Sequence, residues 1–158
     1  MRFMPFLMLA AVGCGGGTVA SAPTPVATPT KAVVSIAISP DPVVATDSAN
    51  PDAPLDARWT VEITSSAIGA RVNFVNATLR DGASGAEAEP SGTLSLGPAD
   101  ITAETGTDHV DPTRSLNVVQ SLEYSLPSGG RAGVLTVTVQ LTADDGTLLS
   151  KSVQVPVS

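Results

Sequence analysis

Alternation constrains this chain more than any other feature. From Ala32 onward, apolar and polar residues take turns over stretch after stretch, the period of two that suits strands with one buried face. The clearest case spans 135–157. Leu135, Val137, Val139 and Leu141 share one parity, and Thr136, Thr138, Gln140 and Thr142 share the other. Asp144-Asp145-Gly146 then turns the chain, and Leu149, Val153, Val155 and Val157 resume the apolar set. Parity selects the turn. A turn closed on Asp145-Gly146 alone would set Leu141 opposite Ser150. A loop of Asp144-Asp145-Gly146 instead pairs Ala143 with Thr147, faces Leu141 with Leu149, Val137 with Val153 and Leu135 with Val155, and gives Gly146 the left-handed bulge position. The second hairpin is expected. Its blemish is Lys151 on the inner parity, which must lie near a sheet edge and extend its ammonium outward.

The same period runs through the rest of the chain. Val34, Ile36 and Ile38 alternate with polar or small residues until Pro40 and Pro42, an edge-strand habit because proline cannot donate to a ladder. After a loop at 47–54, Ala57, Trp59, Val61 and Ile63 point inward, while Arg58, Thr60, Glu62 and Thr64 point out. Between Arg71 and Arg80 the apolar parity switches from Val72 and Phe74 to Val75, Ala77 and Leu79, which predicts a bulge near Phe74-Val75. Leu94 and Leu96 mark a short strand before Gly97-Pro98. From Leu116 to Leu126 the apolar parity holds except at Gln120, which favours a strand. The competing reading is a helix capped by Asp111-Pro112.

Composition narrows the outcome. With 8 Lys+Arg against 15 Asp+Glu the net charge is −7, and losing Arg2 with a cleaved leader would make it −8. Such a balance argues against nucleic acid as a partner, since phosphate binding needs clustered Lys and Arg. It also argues against an electrostatic grip on anionic lipid headgroups. With 1 cysteine there is no intramolecular disulfide, so a core of mostly Val, Leu, Ile and Ala must hold the fold. The turn Leu126-Pro127-Ser128-Gly129-Gly130-Arg131, the Val-Thr-Val strand after it and the Asp-Asp-Gly hairpin resemble the C-terminal half of bacterial immunoglobulin-like or fibronectin-III-like domains. The resemblance covers about residues 33–158 and implies an all-β, two-sheet immunoglobulin-like antiparallel β-sandwich of about seven strands. In that setting Trp59 would fill the core centre, and Tyr124 would be the candidate corner tyrosine.

Cys14 speaks to location. Arg2 gives a positive start, Phe3 to Val12 an apolar run too short to span a bilayer, which takes about 20 residues, and Val12-Gly13 expose the next bond to a peptidase. Ala11-Val12-Gly13-Cys14 resembles the lipobox of bacterial lipoproteins. The resemblance implies a signal peptide at 1–13 and a Cys14 thiol carrying diacylglycerol, with a further acyl chain such as palmitate on its amine. Two or more chains hold a membrane stably. Gly15 after the cysteine, by similarity to sorting in enteric bacteria, implies the outer membrane. A secretory cut after Ala20-Ser21-Ala22 is a second reading, with Pro23 then following the cut, and a buried cytosolic cysteine is a third. Residues 14–32 read as the lipidated cysteine and a Gly/Pro/Thr-rich tether, expected to be disordered and extended. Residues 33–158 read as the sandwich.

Chemistry is sparse. The acidic stretch Asp100, Glu104, Asp108, His109 and Asp111 holds the single histidine and is the one weak metal candidate; as a solvated loop it would bind nothing. Asp41, Asp47, Asp52 and Asp56 read as turn residues. No nucleophile elbow, phosphate loop, dinucleotide fingerprint or zincin motif occurs. No catalytic residue and no cofactor is expected. The reading is a non-enzymatic envelope lipoprotein whose exposed loops and edge strand bind a protein or glycan or scaffold the envelope. A divalent-metal-dependent binding module is the alternative, and a small secreted hydrolase a remote one.

Overall fold

The computed structural model describes residues 31–158. Within them the chain forms β1 (Val33–Ser39), β2 (Ala45–Asp47), β3 (Leu55–Ser66), β4 (Ala70–Asp81), β5 (Thr93–Leu96), α1 (Pro98–Thr105), β6 (His109–Val110), β7 (Ser115–Tyr124), β8 (Gly133–Ala143) and β9 (Leu148–Val157). Two antiparallel sheets pack face to face as an immunoglobulin-like sandwich. In the first, β3 pairs with β1 and β2 on one side and β7 on the other; in the second, β4 pairs with β5 and β6 on one side and β8 on the other, with β9 beyond β8. The strand count exceeds the expected seven because β2 and β6 are too short to show a period.

The alternation is the fold's blueprint. Ala57, Trp59, Val61 and Ile63 are buried from the first sheet, and Leu135, Val137, Val139 and Leu141 from the second. The β8–β9 register matches the longer loop: Leu141 faces Leu149, Val137 faces Val153 and Leu135 faces Val155. The Ala143 N–H donates to Thr147 O at 2.8 Å, and Gly146 takes φ 85°. Lys151 lies on the edge strand β9, and its Nζ donates across the sandwich corner to the Val34 carbonyl of β1 at 3.2 Å. An inward-pointing lysine of this kind blocks edge-to-edge pairing. Further along the same corner, the segment after Pro40 and Pro42 leaves β3 and meets β9, where the Val43 N–H donates to Pro156 O and the Ser158 N–H to Val43 O, both at 3.0 Å.

Three expectations need correction. The β4 bulge falls between Val72 and Phe74, a little earlier than Phe74-Val75. Gln120 does not interrupt the inner face of β7 but belongs to it: it is 2 % exposed, sits opposite Trp59, and its Oε1 accepts the indole N–H at 2.9 Å. A buried indole needs an acceptor, and glutamine supplies one at the cost of a polar core position. The stretch after Gly97 is not a loop but α1. Pro98 opens it, the Asp100 carboxylate accepts the Gly97 N–H at 3.0 Å, and Gly106 closes it at φ 83°. Only Ile101 of this helix is buried, so no helical period was visible. The segment 111–114 is a turn rather than a helix start, its Arg114 N–H donating to Asp111 O.

Candidate functional site

Strand directions divide the loops between two poles. At one lie the short connections: the β3–β4 turn at 67–69, the β6–β7 turn at 111–114 and the β8–β9 turn at 144–147. The chain also enters β1 here, since Val33 pairs with Ser66. At the other lie the long connections: 40–44, 48–54, 82–92 and 125–132.

The long-loop pole is interlocked by backbone and carboxylates. Glu89 and Ser125 exchange two backbone hydrogen bonds, at 3.0 and 2.8 Å, tying loop 82–92 to loop 125–132. Asp81 ties the same two loops a second time, its Oδ1 accepting the Ala83 N–H at 2.8 Å and its Oδ2 the Ser128 N–H at 2.7 Å. Hydrogen bonding from the Ser128 side chain, then from the Ala83 N–H, holds this carboxyl at about 2, below its ordinary 3.8, against a smaller opposing desolvation. Arg131 forms an ion pair with Asp47, joining the third loop. Between loops 48–54 and 125–132 is a cleft of about 240 Å³, lined by Pro54, Leu55, Leu126, Gly129 and the Asp47–Arg131 pair. Beneath this pole Tyr124 is wholly buried; burial raises its hydroxyl pKa, with Arg131 pulling the other way and Asp56 adding to the rise. Asp41, Asp52, Glu87, Glu89 and Glu123 are exposed around the rim.

The short-turn pole centres on His109. Its Nε2 lies 3.0 Å from Asp144 Oδ1 and its Nδ1 3.3 Å from Asp111 Oδ1. The ring lies over Gly69, where an added Cβ would stand 2.6 Å from Cε1 and 2.5 Å from Asp144 Oδ2. Beside it, Arg71 Nη1 reaches both oxygens of Asp108, at 2.7 and 2.8 Å. The Asp145 carboxylate accepts the Thr147 N–H at 2.9 Å, and that bond, followed by the Thr147 side chain, lowers its pKa. A cleft of about 330 Å³ runs from His109 and Asp111, past Thr105 at the end of α1, to Ser115 and Asn117 on β7.

The sequence-singled residues are therefore dispersed. Asp100 caps α1, Glu104 Oε1 accepts the Val119 N–H on the free edge of β7, Asp108 holds Arg71, and His109 and Asp111 meet each other together with Asp144. Among the described residues no group of three or more His, Cys, Asp or Glu side chains is placed to hold a metal ion. With a carboxylate at each ring nitrogen, His109 is arranged as a clasp between β6 and the β8–β9 turn and not as a base facing a nucleophile. Cys14 and the lipobox residues Ala11, Val12 and Gly13 lie outside the described residues. No helix among the described residues is long and apolar enough to cross a membrane. Sequence reasoning missed Asp81, whose one signal is the Asp81-Gly82 turn pair, and Asp144 as the partner of His109, which carries no local signal at all. No protein-family model matches the chain, and no curated protein is significantly similar to it.

Proposed function

We propose that this chain is a non-enzymatic lipoprotein of the cell envelope, anchored through Cys14 in the outer membrane, which is held at its short-turn pole and binds a partner protein through its long-loop pole. The observation that carries this reading is the segregation of the loops. The chain enters the sandwich at the pole closed by tight turns, and the long loops gather at the far end, where a tether over 15–32 would present them away from the bilayer. Loops placed on a rigid sandwich are where binding residues concentrate. Their mutual ties through Asp81, Glu89–Ser125 and Asp47–Arg131 pre-organise the surface and reduce the ordering cost of association. The acidic rim favours a partner with a basic face and speeds its encounter.

The anchor is tested by intact mass and detergent partitioning after expression in a bacterial host, wild type against Cys14→Ser. The reading expects a lipid-bearing chain beginning at Cys14 that enters the detergent phase, and loss of both properties in the variant. A water-soluble chain beginning at Pro23 in both overturns it. The pole is tested with a photocrosslinking residue at Asp52 or at Asp145: a defined envelope adduct is expected from position 52 and none from 145. The reverse pattern sinks the assignment of the binding pole.

A further inference from the structure

The outer face of the second sheet is distinct from both poles. Strand pairing lays two rows across it. Ser95, Asn76, Thr138 and Ser152 form one, and Thr93, Thr78, Thr136 and Gln154 the next. Every member is an uncharged hydroxyl or amide. The hydroxyls of Thr138 and Ser152 lie 2.8 Å apart, and Gln154 Nε2 donates to Thr136 Oγ1 at 3.1 Å, so neighbours hold one another in place while each hydroxyl keeps spare hydrogen-bonding capacity. Charge appears only at the margins, with Arg71 and Arg80 at the two ends of β4 and Glu87 reaching Thr93 at the β5 edge. The opposite sheet differs. Its outer face sets Glu62 between Ala37 and Asn117, and Asp56 beside Glu123. In a chain of net charge −7, a broad uncharged face is a specific exclusion.

The bulge adds an aromatic to this face. The shift between Val72 and Phe74 places Phe74 opposite Gln140 on the outward side, while Val75 opposite Val139 turns inward. Of the aromatic side chains in the described residues, Trp59 and Tyr124 are buried and Phe74 is presented, half-buried, beside the polar rows. Hydroxyls and amides about 4.8 Å apart within a row, in rows about 7 Å apart, next to a flat apolar ring, match a ligand that is itself rich in hydroxyls and has apolar faces. A polyanion is repelled by the molecule as a whole, and a basic protein is drawn to the acidic pole instead. Charge complementarity therefore selects an uncharged polymer.

We infer that this face binds a neutral polysaccharide, lying across the strands along the Asn76–Thr138 row with one sugar face on Phe74. This goes beyond the function proposed above and uses a different surface. It is tested by native electrophoresis of the full chain carrying Cys14→Ser through gels containing dextran, hydroxyethyl cellulose or galactomannan, with polygalacturonate as the acidic control. Retardation by at least one neutral polymer and not by the acidic one is expected. Phe74→Ala and, independently, Thr138→Glu should each weaken it about tenfold, while Glu62→Gln on the opposite sheet leaves it unchanged. Thermal melting confirms that each variant is folded, and Thr138→Glu, at a surface position, keeps the test decisive if Phe74→Ala unfolds. Absence of retardation in all three neutral gels, or equal retardation of wild type and a folded Thr138→Glu, overturns the inference. Neither result bears on the crosslinks from position 52, which lies in a loop of the opposite sheet.

Discussion

Two glycines show how the poles differ. At the long-loop pole, a Cβ on Gly92 would meet Glu87 Cγ at 2.5 Å and also backbone, 2.7 Å from both Ala88 N and Leu79 O. Those backbone atoms are themselves hydrogen-bonded, Ala88 N–H to Leu79 O, and the Gly92 carbonyl accepts the Leu79 N–H. At the short-turn pole, the nearest atoms to a Cβ on Gly69 would be the ends of the His109 and Asp144 side chains. The loops that look free are built against an unyielding backbone, whereas the tight turns are closed by side chains that can swing aside. Loop length therefore does not measure looseness here. The long loops are pinned because they are long enough to reach one another.

The largest effect should leave this contrast untouched. Trp59→Ala empties the centre of the core and strands Gln120, and should cost about 3–5 kcal/mol, read from denaturant unfolding, with both poles losing protection together. Gly92→Ala should cost about 1–3 kcal/mol, because backbone must move. Amide exchange should rise first at Leu79 and Ala88. If the variant is as stable as wild type, loop 82–92 is not the rigid platform described.

Asp81→Asn comes next. Asparagine keeps one acceptor but turns an amide N–H toward the Ser128 N–H. The native carboxyl titrates at about 2 against an ordinary 3.8, so its contribution is complete above the ordinary value and is lost as pH falls from 3.8 through 2. The stability gap between wild type and Asp81→Asn should therefore be widest near neutrality and close over that window. A gap independent of pH would remove Asp81 as a charged tie. The smallest effect belongs to Gly69→Ala, which displaces His109 from Asp144 and should cost about 0.2–1 kcal/mol, the scale of an exposed ion pair. A loss as large as that of Gly92→Ala would erase the contrast between the poles.

What could be seen in advance follows from the range of each signal. Strands announce themselves locally, because alternate side chains must enter the same core; this is why the β8–β9 register, the inner face of β3 and the edge position of Lys151 could be read directly. Gln120 could not, since its place in the core is explained by Trp59 on the neighbouring strand. Helix α1 buries Ile101 alone and left only its end signals, Gly97-Pro98, Asp100 and Gly106, within a run that resembles an acidic loop. His109 drew notice as the single histidine, but its partner Asp144 comes from a distant turn, and the acidic residues around it in sequence mostly point elsewhere. The site-forming contacts are the non-local ones, and single-residue patterns do not carry them.

The most direct test of the central claim uses the fact that the chain has 1 cysteine. With the thiol of Cys14 blocked by the proposed lipid, a thiol introduced by Ser84→Cys at the long-loop pole or by Asp145→Cys at the short-turn pole would be the sole site for a fluorophore. Each labelled protein would then be anchored in vesicles containing a lipid-borne quencher. Strong quenching from position 145 and weak quenching from position 84 are expected. Equal quenching from the two positions, or stronger quenching from 84, would contradict a module held at one pole and presented by the other.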